Sequence, residues 1–516
     1  MSLGAQESPA DAQLPDLTLT DEVRRGALWA GGSSIFLRFA SIGVTAVVAR
    51  IVAPHELGVF ALTLVVYGIV VSLAELGVSS AIARSDLDLD EIASTITTIS
   101  IATSLLLASV VAIFALPIAT ALGSAEAEVP IRIMALCIAM IGPFAVPGAL
   151  LQRDFRQDIV FKATAISFVP SSAVLIWIAL LGDGAIAFAW SRVVGQIVMG
   201  TIMFFGASRR YMPGFKARLL GPLLRFGLPL ALANVLSNVL LNIDYVFVGR
   251  FLSVTEVGLY NLAFNISMWS TAVIGTILNG IVLPVFSRVR AIGGDVPAAF
   301  RGAVQAVALI ACPIAAVTLG LSSPLIVTIY GEKWQSAAPV LGVLAVYGLI
   351  SVICLLLANV IISAGRTGVL FAVQALALIC LVPAMWAGVT FGGLTGVGVA
   401  HIIVILVATF PLYVAAIKRS IGTGPILILK AMSWPTVSAA LAGVSAWTIS
   451  LALPNAPLKL LAGLAIAGIV YLLFTAPLLT AMLPQPIVRV RMIARAMALA
   501  ARPARWVLGR STTRGR

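Results

Sequence analysis

Long apolar runs are the feature that most constrains this chain. Fourteen predominantly apolar stretches follow one another along the sequence, separated by short polar connections. Each is about 20 residues long, which is the length at which an α-helix spans the hydrocarbon core of a bilayer. A helix also satisfies its backbone hydrogen bonds within its own segment, as lipid requires. The sequence therefore predicts an all-α polytopic membrane protein with 14 transmembrane helices.

The composition supports a membrane protein over the other classes. Hydrophobic residues make up 60% of the 516 positions and charged residues 10%, whereas a soluble domain carries about 25% charged residues. A β-barrel would alternate apolar and polar residues in short strands, and the runs here are continuous.

Neither a metal site nor a cofactor is expected. The four cysteines all lie within apolar runs and have no metal-ligand spacing, and the chain has two histidines. Cysteines in such positions behave as small buried apolar residues. No G-x-x-x-x-G-K-[ST] motif is present, so the chain is not expected to hydrolyse ATP.

Lysine and arginine collect on one side of the predicted spans, which indicates the topology. With the N-terminus placed inside, 26 of the 33 basic residues fall on the inner side, five on the outer side and two within spans. Cytoplasmic loops carry such an excess. Both termini are therefore predicted to be cytoplasmic, and the net charge of +13 requires no nucleic acid partner.

One segment of the sequence recurs after 200 residues. Arg50 to Phe60 reads R-I-V-A-P-H-E-L-G-V-F, and Arg250 to Tyr260 reads R-F-L-S-V-T-E-V-G-L-Y. Six predicted spans separate the copies, and an even number gives both copies the same orientation in the membrane. The repeat predicts two six-helix lobes related by a pseudo-two-fold axis along the membrane normal, plus two C-terminal helices. Each copy is predicted to form the outer hinge of its lobe and to hold no substrate.

These boundaries divide the chain into six segments. Residues 1–23 are predicted to be a disordered cytoplasmic tail. Residues 483–516 are predicted to be a basic amphipathic cytoplasmic tail on the inner leaflet, with a disordered arginine-rich end as the alternative. The segments between them are the N-lobe with spans 1–6 (24–206), a cytoplasmic inter-lobe linker (207–227), the C-lobe with spans 7–12 (228–417), and spans 13–14 (418–482).

Several stretches resemble a known family. They are Arg24–Trp29, Ala49–Phe60 and Glu75–Ile82, with the inner loop Gln152–Arg156 and the outer loop Tyr330–Trp334. This pattern resembles the polysaccharide flippases, the Wzx/WzxC-like members of the MOP superfamily, which are relatives of lipid II flippases and MATE exporters. The resemblance covers most of residues 24–417 and implies a two-lobed core of twelve helices with two further helices. It also implies an activity: flipping an undecaprenyl-pyrophosphate-linked oligosaccharide across the bacterial inner membrane by alternating access, for export or assembly of a surface polysaccharide.

Two arginines fall inside predicted spans, where charge is costly and marks a candidate functional site. Arg38 lies in span 1 beside Ser34 and Ser41 on one helical face, and Arg192 lies in span 6. The planar guanidinium group suits phosphate oxygens. The implied substrate therefore suggests that Arg38 and Arg192 hold its pyrophosphate in a central cavity. A structural ion pair, such as Arg38 with Glu75, is the alternative.

The spans of the second lobe carry amide side chains where those of the first lobe carry arginines. Three asparagines recur at every fourth residue of span 7 with a tyrosine on the same face, and two more asparagines share a face of span 8. Such rows can hydrogen-bond sugar hydroxyls, and hydrogen bonding between helices is the alternative. The predicted sugar contacts are Asn234, Asn238, Asn242, Tyr245, Asn261 and Asn265.

Three titratable residues are candidates for ion coupling. Asp244 is the sole carboxylate within the second-lobe spans, and some MOP relatives bind a coupling cation in that lobe. A counter-ion role toward Arg250 is the alternative for Asp244. His401 in span 12 can take a proton near physiological pH, although a lone buried histidine is more often structural. Glu75 in span 2 is the third candidate.

Two other functions compete with flipping. A MATE-like exporter of drugs or organic cations would favour acidic residues in its cavity, which Arg38 opposes. A membrane-embedded polysaccharide polymerase or glycosyltransferase would need a large, charged outer loop, and the outer loops here are short. The chain is therefore predicted to be a transporter and not an enzyme. Its expected partners are the lipid-linked oligosaccharide, the bilayer of the bacterial cytoplasmic membrane and polysaccharide assembly proteins.

Overall fold

The computed structural model describes residues 37, 40–75, 82, 89–154, 156–291 and 293–482. The secondary structure in these ranges is helical, with no β-strand, which confirms the all-α prediction. The predicted tails 1–23 and 483–516 lie outside the described residues.

Sixteen α-helices are described. In chain order they are α1 (Ala40–Ile51), α2 (Pro54–Ala74), α3 (Leu89–Ile113), α4 (Ala115–Ala121), α5 (Glu128–Arg153), α6 (Gln157–Leu180), α7 (Gly184–Gly206), α8 (Ala217–Phe251), α9 (Val254–Ala291), α10 (Val296–Gly320), α11 (Ser322–Tyr330), α12 (Ala338–Ser363), α13 (Thr367–Val404), α14 (Phe410–Ile421), α15 (Pro425–Ala452) and α16 (Ala456–Met482). Short 3₁₀ helices occupy Ala125–Ala127 and Glu332–Ala337, and a π-helix at Ile405–Thr409 joins α13 to α14.

The helices have the length and polarity of membrane spans. Eleven segments of the described chain are long and apolar enough to cross a bilayer. Large apolar side chains remain exposed on helix surfaces, for example Trp177 at 65% and Phe391 at 86%, where lipid tails replace water as the solvent. The multi-pass membrane fold is therefore confirmed, and the count of fourteen spans stays a prediction.

The chain forms two compact units. The described residues of the first unit fall within Met1–Ile51, Tyr67–Phe114 and Ile131–Val235. Those of the second unit fall within Val52–Val66, Ala115–Pro130 and Leu236–Arg516. The unit boundary passes through α2, α5 and α8, so the first turns of α2 and the short helix α4 are grouped with the second unit.

Small residues bring the helices of the first unit together. A side chain at Gly142 of α5 would strike Ser104 and the backbone of α3. The Ser104 hydroxyl donates a hydrogen bond to the Ala139 carbonyl at 3.3 Å. Helices in lipid associate through such close backbone approach and polar contacts. An aliphatic core joins α3, α5 and the start of α8: Ile82, Ile92, Ala93, Ile96, Val146, Ala149, Leu150 and Leu219.

The second unit is built around α12, which packs against α9, α10 and α13. Helices α15 and α16 pack on each other, and they reach the rest of the unit through α10 and the short helix α11. Gly320 of α10 lies against the Gly443 carbonyl of α15, and the Tyr471 hydroxyl of α16 donates to the Leu309 carbonyl of α10 at 2.8 Å. These contacts attach the two C-terminal helices to the unit.

Local sequence explains where these helices begin, break and end. The Asp295 carboxylate caps α10 by accepting the Ala298 N–H at 2.9 Å. Helix α14 ends at Gly422, which has a φ of 72°, after Lys418 and Arg419 in the last turn. Within α13, Gly393 has a φ of 54° and a ψ of −141° and separates two helical halves. The break coincides with the predicted boundary between spans 11 and 12.

The two copies of the repeated segment form the junctions α1–α2 and α8–α9. In the first copy the Glu56 carboxylate reaches back to the Ala53 N–H at 2.7 Å. In the second copy the Glu256 N–H donates to the Ser253 hydroxyl at 3.2 Å. These are the two halves of a capping box, and in the second copy the Glu256 carboxylate also accepts from the Ser253 hydroxyl at 3.1 Å. The recurring glutamate begins a helix in both copies.

Candidate functional site

Arg192 lies near the middle of α7 in the first unit. Its side chain is exposed, and its guanidinium carbon lies 5.9 Å from the centre of the Tyr67 ring on α2, a cation–π arrangement. Among the described carboxylates, none lies within 4.0 Å of the Arg192 guanidinium. In the described part of the chain, the recorded partner of this cation is thus an aromatic ring.

The other predicted phosphate contacts are only partly within the described chain. Ser34 and Arg38 lie outside the described residues. Ser41 is exposed on α1, and its carbonyl accepts a hydrogen bond from the Thr45 hydroxyl at 2.8 Å. Arg192 is thus the predicted phosphate contact for which the structure gives a full geometry.

The predicted sugar contacts on α8 and α9 include amides bonded within their own helices. The Asn242 amide donates to the Asn238 carbonyl at 2.8 Å, and the Asn265 amide donates to the Asn261 carbonyl at 2.8 Å and to its side-chain oxygen at 3.0 Å. Asn234, Asn238, Asn242 and Asn261 are half-buried, and Asn265 is exposed. In the described residues neither Asn242 nor Asn265 bridges to a second helix.

Asp244 and His401, which the sequence suggested separately, lie together in the second unit. The Tyr260 hydroxyl donates to Asp244 Oδ2 at 2.7 Å and is 3.0 Å from His401 Nε2. His401 Nε2 also lies 3.4 Å from Asp244 Oδ2. The exposed fractions are 1% for Asp244, 0% for Tyr260 and 7% for His401. The side chains that contact the Asp244 carboxylate are therefore Tyr260 and His401, whereas the sequence alternative paired it with Arg250.

Three helices position this buried triad, which is Asp244, Tyr260 and His401. Asp244 comes from α8, Tyr260 from α9 and His401 from the second half of α13. The Asp244 carboxylate also accepts its neighbour's backbone N–H, that of Tyr245, at 3.0 Å. Tyr260 lies within 3.0 Å of both other members, so it is the hydroxyl that joins the carboxylate to the imidazole.

Aromatic rings enclose the triad. The Tyr245 ring packs edge-on against Tyr260 with centroids 5.4 Å apart, and the Tyr347 ring lies 4.8 Å from the His401 ring. Phe264 contacts the rings of both Tyr260 and His401. Tyr245, which the sequence placed with the sugar contacts, is 7% exposed and belongs to this aromatic shell.

A cavity of about 180 Å³ adjoins the triad. Three aromatic rings, the His401 imidazole and the Gln374 amide form part of its wall, and the remainder is mostly aliphatic. The lining residues are Leu240, Leu241, Phe264, Tyr347, Val373, Gln374, Ala377, Leu381, His401, Val404, Ile405, Thr409 and Tyr413. Of the three triad members, His401 is the one that lines the cavity, and its imidazole contacts the buried Asp244 carboxylate.

Sequence reasoning missed Tyr260 as part of a site. A signal was present, because Tyr260 stands where the first copy of the repeat has Phe60. Glu75, the third candidate for ion coupling, follows α2 in the first unit and its side chain is exposed. Among the described residues, no three histidine, cysteine or acidic side chains are grouped to hold a metal ion.

Comparison with known proteins identifies related sequences. The chain is 26% identical over 445 residues to the succinoglycan biosynthesis transport protein ExoT of Rhizobium meliloti (strain 1021), covering 84% of this chain and 88% of that protein. It is 22% identical over 416 residues to the lipopolysaccharide biosynthesis protein WzxC of Escherichia coli (strain K12), covering 79% and 83%. It is 25% identical over 260 residues to the teichuronic acid biosynthesis protein TuaB of Bacillus subtilis (strain 168), covering 50% and 54%.

Two solved structures share the fold. The lipid II flippase MurJ in an inward closed conformation superposes with a TM-score of 0.69 at 16% identity, covering 88% of this chain and 99% of that one. An inward-facing multidrug resistance MATE family transporter of the MOP superfamily superposes with a TM-score of 0.60 at 18% identity, covering 73% and 93%. The sequence model for the family described as polysaccharide biosynthesis protein matches residues 47–339, which is more than half of the chain, and the protein belongs to this family.

Proposed function

We propose that the protein flips an undecaprenyl-pyrophosphate-linked oligosaccharide across the bacterial inner membrane by alternating access. Membership of the polysaccharide biosynthesis protein family supports a role in making a surface polysaccharide. The names of the relatives ExoT and WzxC, a succinoglycan biosynthesis transport protein and a lipopolysaccharide biosynthesis protein, support transport of a glycan. The MurJ-like fold suits a lipid-linked cargo.

The observation that carries the substrate class is the position of Arg192. An exposed guanidinium in the middle of a membrane helix, held on a tyrosine ring and without a carboxylate neighbour among the described residues, is available for an anion. Arginine recognises phosphate with paired hydrogen bonds. A lipid-linked oligosaccharide carries such an anion, because its pyrophosphate headgroup would lie at the level of Arg192 in the membrane. Arg38, Ser34 and Ser41 belong to the same proposal as further headgroup contacts.

The amides of the second half are proposed to contact the sugar. Asn234, Asn238 and Asn242 on α8, and Asn261 and Asn265 on α9, offer donors and acceptors without net charge. Sugar hydroxyls need both kinds of partner, and neutral amides bind and release them at low desolvation cost. Tyr245 lies on the same helix as the first three asparagines but is buried in the aromatic shell, so the proposed contacts are the amides.

Export of an organic cation is the competing function, supported by the MATE-like neighbour. A cationic cargo would be repelled by Arg192, whose charge the described carboxylates do not neutralise within 4.0 Å. The proposed protein is therefore a transporter of an anionic lipid and not an enzyme. We place it in the cytoplasmic membrane with both termini inside, working with polysaccharide assembly proteins.

Deleting the gene and analysing the undecaprenyl-linked intermediates tests this proposal in the cell. Accumulation of a complete lipid-linked oligosaccharide on the inner leaflet, relieved by the wild-type gene, is the expected result. Normal amounts of that intermediate together with new sensitivity to cationic drugs would instead support the exporter.

A further inference from the structure

We propose that residues 207–218, which run from the end of α7 into the first turn of α8, form a binding surface for anionic phospholipid. Met212 and Phe215 of this linker segment enter the bilayer interface, and its basic side chains bind phosphate headgroups. In the proposed topology the surface faces the inner leaflet. The inference rests on contacts within the first unit and does not depend on which cargo the protein moves.

The linker segment and the start of α8 carry positive charge without any acidic residue. Residues 207–226 contain five basic side chains and no aspartate or glutamate. All five are exposed. Clusters of about four to eight basic residues next to a membrane helix are typical of sites that bind anionic lipid. The five residues are Arg209, Arg210, Lys216, Arg218 and Arg225.

The ends of three candidate membrane spans meet the linker segment. Helix α7 ends at Gly206, immediately before the segment. The Ser208 hydroxyl donates to the Asp154 carboxylate at 3.0 Å, directly after the end of α5. The Gly214 N–H donates to the Ser94 carbonyl at 3.2 Å, near the start of α3. Because it is tied to the ends of these spans, the segment lies at the level of the membrane surface.

Hydrogen bonds and close packing fix the backbone of the linker segment. The Thr98 hydroxyl donates to the Gly214 carbonyl at 2.7 Å, and the Lys216 N–H donates to the Thr95 hydroxyl at 3.3 Å. A Cβ atom at Gly214 would lie 3.2 Å from a side chain of α3, so the chain passes directly against that helix. Tyr211 packs on the aliphatic core of α3, α5 and α8. The inward side of the segment is therefore well defined.

Large apolar side chains project from the outward side of this fixed backbone. Met212 is 81% exposed and Phe215 is 59% exposed. Phe205 in the last turn of α7 is 63% exposed, and the Arg210 guanidinium carbon lies 5.1 Å from the centre of its ring. Exposed apolar side chains rimmed by cations are typical of surfaces that enter the membrane interface. In such an interface the guanidinium stays among the headgroups while the aromatic ring reaches into lipid.

A bilayer fits this surface better than a soluble protein partner. The apolar part of the linker surface consists of two side chains among cations, whereas a stable protein interface buries about 800 Å² on each partner. A bilayer needs no such continuous area. Its phosphates complement the basic side chains, and its hydrocarbon covers the apolar tips.

A fluorophore at position 215 tests this docking in the full-length protein. The four native cysteines are replaced by alanine, and Phe215→Cys carries a polarity-sensitive fluorophore that takes the place of the ring. Nanodiscs contain phosphatidylcholine alone or mixed with phosphatidylglycerol, and a trace of lipid with a nitroxide quencher near its headgroup. We expect phosphatidylglycerol to increase the quenching at least about twofold, and high salt to reverse the increase by screening exposed charges. If Phe215→Cys does not fold, Met212→Cys is the labelled position.

Matched variants separate the linker segment from basic residues elsewhere. Arg210→Gln combined with Lys216→Gln should abolish the increase in quenching. Arg366→Gln combined with Arg419→Gln removes the same charge from two exposed positions outside the segment and should leave the increase unchanged. A fluorophore at Asp183→Cys, in the exposed connection at the other end of α7, should not respond to phosphatidylglycerol.

Two results would overturn the lipid surface. One is quenching at position 215 that is equal in both lipid mixtures or that persists when Arg210 and Lys216 are replaced. The other is a fluorophore that stays in water in both mixtures, which would favour a soluble partner for the exposed apolar side chains. Both results leave the flippase proposal standing, because that proposal is judged by the accumulated undecaprenyl-linked intermediate.

Discussion

Gly58 and Gly258 pack backbone against backbone, and the contact is reciprocal. A Cβ atom on Gly58 would strike the carbonyl of Val254, and a Cβ atom on Gly258 would strike the carbonyl of Pro54. Pro54 and Gly58 of the first copy lie 200 residues before Val254 and Gly258 of the second, so the two contacts join equivalent positions. The two copies of the repeat therefore meet about a local pseudo-two-fold axis, at the first turns of α2 and α9.

Substitution of these glycines should cost stability. Gly58→Ala and Gly258→Ala each place a methyl group against backbone that has little freedom to move, so we expect a loss of about 1–3 kcal/mol. Gly302→Ala on α10 is the control, because a Cβ there meets nothing within 4 Å and alanine favours a helix. Thermal unfolding of the purified protein measures the difference. Equal melting temperatures for all three variants would show that the reciprocal contact is loose.

The break in α13 should depend on one of two adjacent glycines. Gly393 has a positive φ of 54°, whereas Gly392 has ordinary helical geometry, and neither position is crowded. Gly393→Ala should therefore cost about 1–3 kcal/mol through backbone strain. Gly392→Ala should be neutral or slightly stabilising. Thermal unfolding distinguishes the two, and a reversed order would place the break elsewhere in the helix.

Trp334 should be a major determinant of stability. Its side chain is fully buried after the turn at Gly331, which has a φ of 104°. Trp334→Ala should lose about 3–5 kcal/mol, as expected for a large core side chain. Gln335→Ala, at an exposed neighbouring position, should remain within about 0.5 kcal/mol of the parent. A mild effect of Trp334→Ala would mean that this loop contributes little to the core.

The charge and the shape of Arg192 should both affect substrate binding. Arg192→Gln removes the guanidinium, and loss of charge-assisted hydrogen bonds of about 1.5–3 kcal/mol predicts about tenfold to hundredfold weaker binding of the lipid-linked oligosaccharide. Arg192→Lys should fall between the parent and Arg192→Gln, because lysine keeps the charge without the planar fork.

Arg132 provides the matched control for this experiment. Its Nε donates to the Ala112 carbonyl at 3.4 Å at an exposed position outside the proposed site. Arg132→Gln should leave the affinity unchanged, and melting temperatures should show that all variants fold. Wild-type affinity in Arg192→Gln would remove Arg192 from the substrate site.

The membrane fold could be predicted from the sequence because lipid imposes strong rules on length and polarity. The apolar runs gave helices, and the repeated Arg, Glu and Gly marked two equivalent junctions. The reason for the repetition required coordinates. The Glu56 carboxylate accepts the Ala53 N–H, the Glu256 carboxylate accepts from the Ser253 hydroxyl, and Gly58 and Gly258 permit a backbone contact. Sequence spacing alone carries no information about which segments meet.

The buried triad shows the same limit. Asp244 and His401 could be singled out as costly residues within apolar runs, but 157 positions separate them. Their contact arises from the packing of α8, α9 and α13, which local periodicity does not encode. Tyr260 escaped notice because tyrosine is unremarkable in a membrane helix. Comparison with Phe60 in the first copy would have identified it.

The central claim is that this chain moves a pyrophosphate-linked oligosaccharide across the membrane, and flipping in defined vesicles measures it most directly. The purified protein is reconstituted with a fluorescent undecaprenyl-pyrophosphate-linked oligosaccharide, and a membrane-impermeant quencher reports the fraction in the outer leaflet. Protein-containing vesicles should expose the lipid that protein-free vesicles retain inside, and Arg192→Gln should slow this exposure. Rates equal to those of protein-free vesicles, from protein that is folded and correctly inserted, would contradict the account.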